Sequence, residues 1–107
     1  MRGDLLTVAV HGDFGKHRPA LVIQADQFSE HTTVTVLPLS SSMVDAPLLR
    51  ITVQPSTENG LRAPSQVMID KATTIKREKA GSAFGRIETA TLVEIERCLA
   101  VFLGIAK

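Results

Sequence analysis

Leu6, Val8 and Val10 alternate with Thr7 and Ala9, the two-residue period of a half-buried strand. Residues 11–18 carry Gly12, Asp13 and Gly15 and form a turn-rich connector. The run Pro19 to Ala25 is almost continuously apolar, as expected of a central strand covered on both faces. After a loop at residues 26–31, alternation resumes from Thr33 to Leu39, with Val34 and Val36 on one side and serines 40–42 as the stop. Leu49, Ile51 and Val53 alternate with Arg50, Thr52 and Gln54 to predict a fourth strand. Residues 55–64 are polar, with Asn59-Gly60 as a turn signal. Val67 and Ile69 predict another short strand, and residues 73–75 one more.

The period then changes. Leu92, Ile95, Leu99, Phe102 and Leu103 recur at helical spacing, with Glu94, Glu96 and Arg97 elsewhere on the wheel. Thr91 with Glu94 predicts a capping box, or Thr89 caps instead, and Gly104 suits the stop. The last two turns are apolar nearly all round, which predicts burial against the sheet or a second subunit. Short strands followed by one helix predict a mainly β fold, a small bent antiparallel sheet or barrel, over a single domain of residues 1–107.

Composition narrows the function less than the shape. The formal net charge is only +1, so no general polyanion binding follows from it. Its distribution says more: Arg62, Lys71, Lys76, Arg77, Lys79 and Arg86 form one basic stretch, and Lys16, His17 and Arg18 a second point. Such local points suit a confined anion site better than a long nucleic-acid track. Tyr and Trp are absent, so the core is aliphatic with four Phe. Cys98 is the sole cysteine, which excludes an internal disulfide, and its apolar helical setting predicts inert packing. Arg2 and Asp4 interrupt any early signal-peptide core, and the run Cys98 to Leu103 is too short to span a bilayer. A cytoplasmic protein is expected, with no membrane attachment.

Most site chemistries find little support. The three histidines lack paired ligand spacing and one cysteine cannot build a zinc site, so no metal and no cofactor is expected. Residues 12–16 lack Walker spacing and lead into a strand. There is no Gly-x-Ser-x-Gly elbow. The segment at residues 15–19 differs. A residue before proline is pushed toward extended backbone, so Arg18 is held at the mouth of a buried strand. Its planar, permanently charged fork suits a phosphodiester, and the neighbouring His17 carries an imidazole suited to proton transfer. A solvated basic loop fits the same residues.

Several motifs in register resemble one family. Arg2-Gly3-Asp4 is similar to the opening Arg-Gly-Asp/Glu of the MazF/PemK toxins. The stretch His17-Arg18-Pro19-Ala20-Leu21-Val22-Ile23 resembles their Gly-x-Arg-Pro signature and aliphatic strand. Val36-Leu37-Pro38-Leu39-Ser40 resembles a strand ending in a small hydroxyl residue. Ser65 to Asp70, with Thr74-Ile75, resembles the Val-x-x-Asp-Gln-x-x-Thr-Ile segment, and the closing helix to Phe102-Leu103-Gly104 is similar too. The likeness covers nearly the whole chain in order.

The resemblance implies an SH3-like small barrel of the CcdB/PemK type with a C-terminal helix. It implies a homodimeric type II toxin that cuts single-stranded RNA without a metal, by attack of the 2′-hydroxyl on phosphorus, leaving a 2′,3′-cyclic phosphate and a 5′-hydroxyl. By position, Arg18 would stabilise the phosphoryl oxygens, Ser40 would hydrogen-bond the scissile phosphate, and Asp70 would orient Arg18 or move a proton. Lys16, His17, Pro19, Ser41, Gln66, Lys71 and Lys76 would contact RNA, with His17 a second candidate for the base. Asp70 pairing simply with Lys71 or Arg62 is the alternative for that carboxylate. A cognate antitoxin is the implied protein partner.

Three departures stand out: a short connector before Arg18, Met68 where some members have Arg, and Ser40 in place of Thr. A gyrase poison of the CcdB type is the competing reading on the same fold, but it calls for a terminal Trp-Gly-Ile. Here there is no Trp, and Gly104-Ile105 lead only to Ala106-Lys107. A non-enzymatic adaptor barrel is the third.

Overall fold

A computed structural model describes residues 1–9 and 17–106. The end of the first expected strand at Val10, and the connector up to Lys16, lie outside the described residues. Among the described residues, seven strands and one α-helix follow in chain order: β1 (Asp4–Ala9), β2 (His17–Val22), β3 (Thr33–Ser40), β4 (Arg50–Val53), β5 (Ser65–Met68), β6 (Thr73–Lys76), β7 (Ala80–Arg86) and α1 (Thr89–Phe102). Single 3-10 turns at Asp26–Phe28, Ile69–Lys71 and Arg77–Lys79 bridge the strands.

All pairings are antiparallel, in the spatial order β4-β5-β3-β2-β1-β7, with β6 added to β3. Strand β3 makes this possible by changing partners along its length. Its first half, through Val36, pairs with β6, whereas Leu39 and Ser40 pair with β5. Among the described residues no pairing joins β4 to β7, so the bent sheet stays open instead of closing into a full barrel.

Side-chain alternation divides the apolar residues between two faces. Leu5, Leu21, Leu37, Leu39, Ile51, Val53 and Val67 build one core with Ile69, Ile87 and, from the helix, Ile95. Leu6, Val8, Ala20, Val22, Val34 and Val36 form the second, on the opposite face. The continuous apolar run in β2 is thus explained: Leu21 serves one core, Ala20 and Val22 the other, and all three are buried. Burying each Leu-sized side chain contributes on the order of 2 kcal/mol.

One strand, β7, answers to no expected element, the expected helix cap is replaced, and of the two covers expected for the helix end the sheet is not the one. β7 has no bulky alternation, because Ala80-Gly81-Ser82-Ala83-Phe84-Gly85-Arg86 is selected for closeness and not for apolar burial. A Cβ at Gly81 would meet Thr7 Oγ1 at 2.6 Å, and one at Gly85 would meet the Asn59 carbonyl oxygen at 2.2 Å. The helix start uses neither capping threonine: Glu88 is the N-cap residue and makes no capping bond, since its carboxylate is taken by Ser56 and Asn59. The helix end is also not covered by the sheet. Val101, Phe102, Leu103 and Ile105 are all at least 40 % exposed, and Ile95 is the helix's buried residue. The stop does fall at Gly104, at φ 76°, where Ile105 N–H reaches Ala100 and Gly104 N–H reaches Val101 in the Schellman arrangement.

Candidate active site

Strand register brings Arg18 and Ser40 together. Ala20 pairs with Pro38, Leu21 with Leu37 and Val22 with Val36. Counting two residues outward from Ala20 and Pro38 sets Arg18 opposite Ser40, on the same face. Ser40 pairs in turn with Gln66, and Gln66 with Thr52, while Arg18 pairs with Val8. Continued in this way, the register gives a row Val8–Arg18–Ser40–Gln66–Thr52 over five strands, its Arg18–Ser40 step lying past the last β2–β3 pair at Ala20–Pro38. Arg18 is half-buried, consistent with a guanidinium whose stem is packed and whose position is restricted by Pro19.

Ser40 Oγ accepts a bond from the Ser42 amide at 3.1 Å, which leaves its O–H to donate. Gln66 is buried, and its amide is committed: it accepts from Val44 N–H at 2.9 Å and donates to the Val44 carbonyl and Thr52 Oγ1. Its work is to hold the loop after Ser42 against the sheet.

Beside this row lies a hollow of about 650 Å³, lined by Thr7, His17, Arg18, Pro19, Leu39, Ser41, Gly60, Leu61, Arg62, Ala63, Ser65 and Phe84. Thr7, Pro19 and Leu39 belong to the face opposite Ser40 by alternation. Arg18 lines the hollow while its register places it with Ser40, so it borders both. His17, Pro19 and Ser41 join Arg18 here, as the sequence suggests. Arg62 and Phe84 are additions that no motif signalled.

The 59–61 turn forms one wall, and its anchor is Asn59, which is fully buried. Asn59 Oδ1 accepts from the Ser56 and Leu61 amides at 3.0 Å each, and Nδ2 donates to the Gln54 carbonyl and to Glu88. Hydrogen bonding from Ser56 holds the Glu88 carboxyl below its ordinary pKa; burial opposes this and the Asn59 bond reinforces it. Gly60 follows at φ 69°, where a Cβ would meet the Phe84 carbonyl oxygen at 2.8 Å.

Asp70 has a different partner from those the sequence offered. Its carboxylate pairs with the Arg50 Nη1, and Arg50 also donates to the Leu49 carbonyl at 2.9 Å. Burial raises the Asp70 pKa, but the Arg50 hydrogen bond and charge outweigh it, and Lys71 adds to the lowering. Asp70 is thus held ionised by Arg50 and is not among the residues lining the hollow with Arg18. Lys71 is exposed beside it. Lys76 pairs with Thr33, seven residues along β3 from Ser40 and hence roughly 23 Å away, so the fold separates it from this site. Lys16 lies outside the described residues. Among the described residues, no group of three His, Cys, Asp or Glu is placed to hold a metal ion.

Comparison with known proteins places this geometry in a family. The sequence pattern described as "PemK-like, MazF-like toxin of type II toxin-antitoxin system" matches residues 1–103. A relative from Mycolicibacterium smegmatis, "Probable endoribonuclease MazF", is 46 % identical over 106 residues, covering 98 % of this chain and 97 % of its own. Two solved structures share the fold at lower identity. "Endoribonuclease in complex with its cognate antitoxin from Mycobacterial species" superposes with a TM-score of 0.83 at 22 % identity, over 100 % of this chain and 97 % of that one. "Mycobacterium tuberculosis toxin MazF-mt6" also gives 0.83, at 21 % identity, over 97 % and 99 %. With the motifs in register, the fold matched and the sequence pattern spanning nearly every residue, the chain belongs to the PemK/MazF family of toxins from type II toxin–antitoxin systems.

Proposed function

We propose that the protein is the toxin of a type II toxin–antitoxin pair and acts as a sequence-specific endoribonuclease on single-stranded RNA. The observation that carries the reading is the β2–β3 register, which, continued two residues past Ala20–Pro38, sets Arg18 across from Ser40 on one sheet face, while Arg18 also lines a hollow of about 650 Å³. Relatives named as endoribonucleases support it.

The chemistry follows from what the row supplies. The 2′-hydroxyl gives up its proton as it attacks the neighbouring phosphorus, the bond to the 5′-oxygen breaks, and that oxygen takes a proton from water, leaving a 2′,3′-cyclic phosphate and a 5′-hydroxyl. The crowded phosphorane concentrates negative charge on its equatorial oxygens, and a fixed guanidinium stabilises it most as that charge develops. Arg18 fills this role, and Ser40 donates its O–H to the same phosphate. Asp70, ionised and tied to Arg50, is a weak proton acceptor. His17 lines the hollow beside Arg18 and is the better candidate for taking the 2′-proton. Pro19 and Ser41 contact RNA from the same wall, and Lys71 extends the positive surface past Asp70.

A cognate antitoxin is the protein partner, in keeping with the antitoxin complex among the structural neighbours. A homodimer fits the uncovered helix end, and the cytoplasm is the compartment in which it meets mRNA. Among the described residues no helix is long and apolar enough to cross a membrane.

The test is incubation with a defined single-stranded transcript in excess chelator. Discrete cuts ending in 2′,3′-cyclic phosphate are expected, and Arg18→Ala abolishes them while circular dichroism stays native. Undiminished cleavage by folded Arg18→Ala removes this mechanism. Intact RNA together with gyrase-dependent DNA damage makes the protein a gyrase poison instead.

A further inference from the structure

Phe84 sits where no core needs it. It is 39 % exposed, yet it lines the hollow together with Arg18, Arg62 and His17. Its position comes from an interruption of the β1–β7 ladder. Leu5 pairs with Gly85 and Leu6 with Ala83, so one step on β1 spans two on β7, and Phe84 is the extra residue of a β-bulge. Bulges turn a side chain away from the alternation that would otherwise aim it. The backbone on both sides is locked by close approach: Gly60 against the Phe84 carbonyl, Gly85 against Asn59. A partly exposed aromatic on a fixed stretch of backbone, lining a hollow with two arginines, offers apolar ring surface beside positive charge.

We infer that Phe84 is a stacking platform for a nucleobase next to the cut phosphate, with Arg62 neutralising an adjoining phosphate. The inference deepens the ribonuclease reading and rests on it for the identity of the ligand. Arg18 borders both the Ser40 face and the hollow, so a phosphate held at Arg18 leaves its neighbouring base on the Phe84 side. An aromatic ring grips any base through its π-face. Phe84 accordingly contributes affinity at one nucleotide position and takes no part in bond breaking.

The experiment measures equilibrium binding of the whole protein to a panel of 2′-O-methyl oligoribonucleotides spanning all base triplets. One abasic residue is then walked along the tightest binder. Phe84→Leu keeps an apolar side chain of similar bulk without the aromatic face, and Phe84→Tyr keeps the face. Phe84→Leu is expected to weaken binding roughly tenfold or more, with Phe84→Tyr near wild type. At one position, and one only, the abasic substitution weakens wild type but adds nothing in Phe84→Leu. Arg62→Gln lowers affinity and flattens its salt dependence. Equal binding by wild type and Phe84→Leu overturns the inference, as does additive loss at every position or no binding by wild type at any salt. Cleavage of unmodified RNA, followed in parallel, judges the ribonuclease reading separately: binding through Phe84 without cleavage sinks that reading and leaves the platform standing.

Discussion

A hydroxyl and a guanidinium one strand apart make Ser40 the residue whose removal is most informative. Its Oγ accepts from Ser42 N–H and retains a proton to donate. Ser40→Ala is expected to lower kcat by roughly 10- to 100-fold with little change in KM, because the lost bond strengthens as charge gathers on the phosphate. Ser40→Thr restores activity. Single-turnover cleavage of a defined oligonucleotide checks both, and unchanged kcat in Ser40→Ala would remove the serine from the site. Asp70 illustrates the opposite case, a charged residue legible in a motif whose partner, Arg50, lies 20 positions away and was not predictable from spacing. Both side chains of that pair are less than a quarter exposed. Asp70→Asn should cost between the ~1 kcal/mol of surface pairs and the ~3 kcal/mol of buried ones, read from urea unfolding.

At the scale of elements, the turn between β4 and β5 holds the wall of the hollow through side-chain bonds. Asn59→Ala would leave the Ser56 and Leu61 amides and the Gln54 carbonyl without their partner, that of Leu61 in a buried place. The expected loss is roughly 2–4 kcal/mol, with a lower thermal midpoint and weaker RNA binding together. A midpoint shift of less than a degree would show that the turn is held by something else. Acid provides a second probe. Asp70 and Glu88 both have folded-state pKa values below their ordinary 3.8 and 4.5. Stability from these groups is complete above the unfolded values and is lost as pH falls through the lowered folded ones. Unfolding free energy should therefore be flat near neutrality and drop below about pH 4. The double variant Asp70→Asn/Glu88→Gln should show a shallower acid decline.

For the whole molecule, the helix end poses the open surface. Cys98, Val101 and Phe102 face Ala46, Pro47, Leu48 and Leu49 across an apolar groove of about 440 Å³. An apolar patch of this kind on a small protein marks an interaction surface. A second copy is the occupant that the proposed homodimer requires. Phe102→Glu is expected to convert dimer to monomer in sedimentation at micromolar concentration, while the Arg18–Ser40 row stays intact. A dimer that persists in Phe102→Glu moves the interface elsewhere.

Local pattern determined the elements. Two-residue alternation located β1, β3, β4 and β5, a continuous apolar run marked β2 as central, and Asn59-Gly60 and Gly104 marked a turn and a stop, because each depends on near neighbours in the chain. Residue type and the proline after it marked Arg18 as a cation held in place, and the family resemblance supplied its expected role. Tertiary structure decided what depends on distant segments. β7 was invisible, since its glycines answer to Thr7 and Asn59 rather than to any pattern of their own. The Arg50–Asp70 pair and the committed amide of Gln66 depend on β4 lying beside β5 and on the loop at Val44, and the remoteness of Lys76 on β3 exchanging β6 for β5 midway, none of which a short-range signal encodes. The bulge that turns Phe84 toward the hollow likewise exists only once β1 and β7 are paired, because a surplus residue has meaning only against a partner strand.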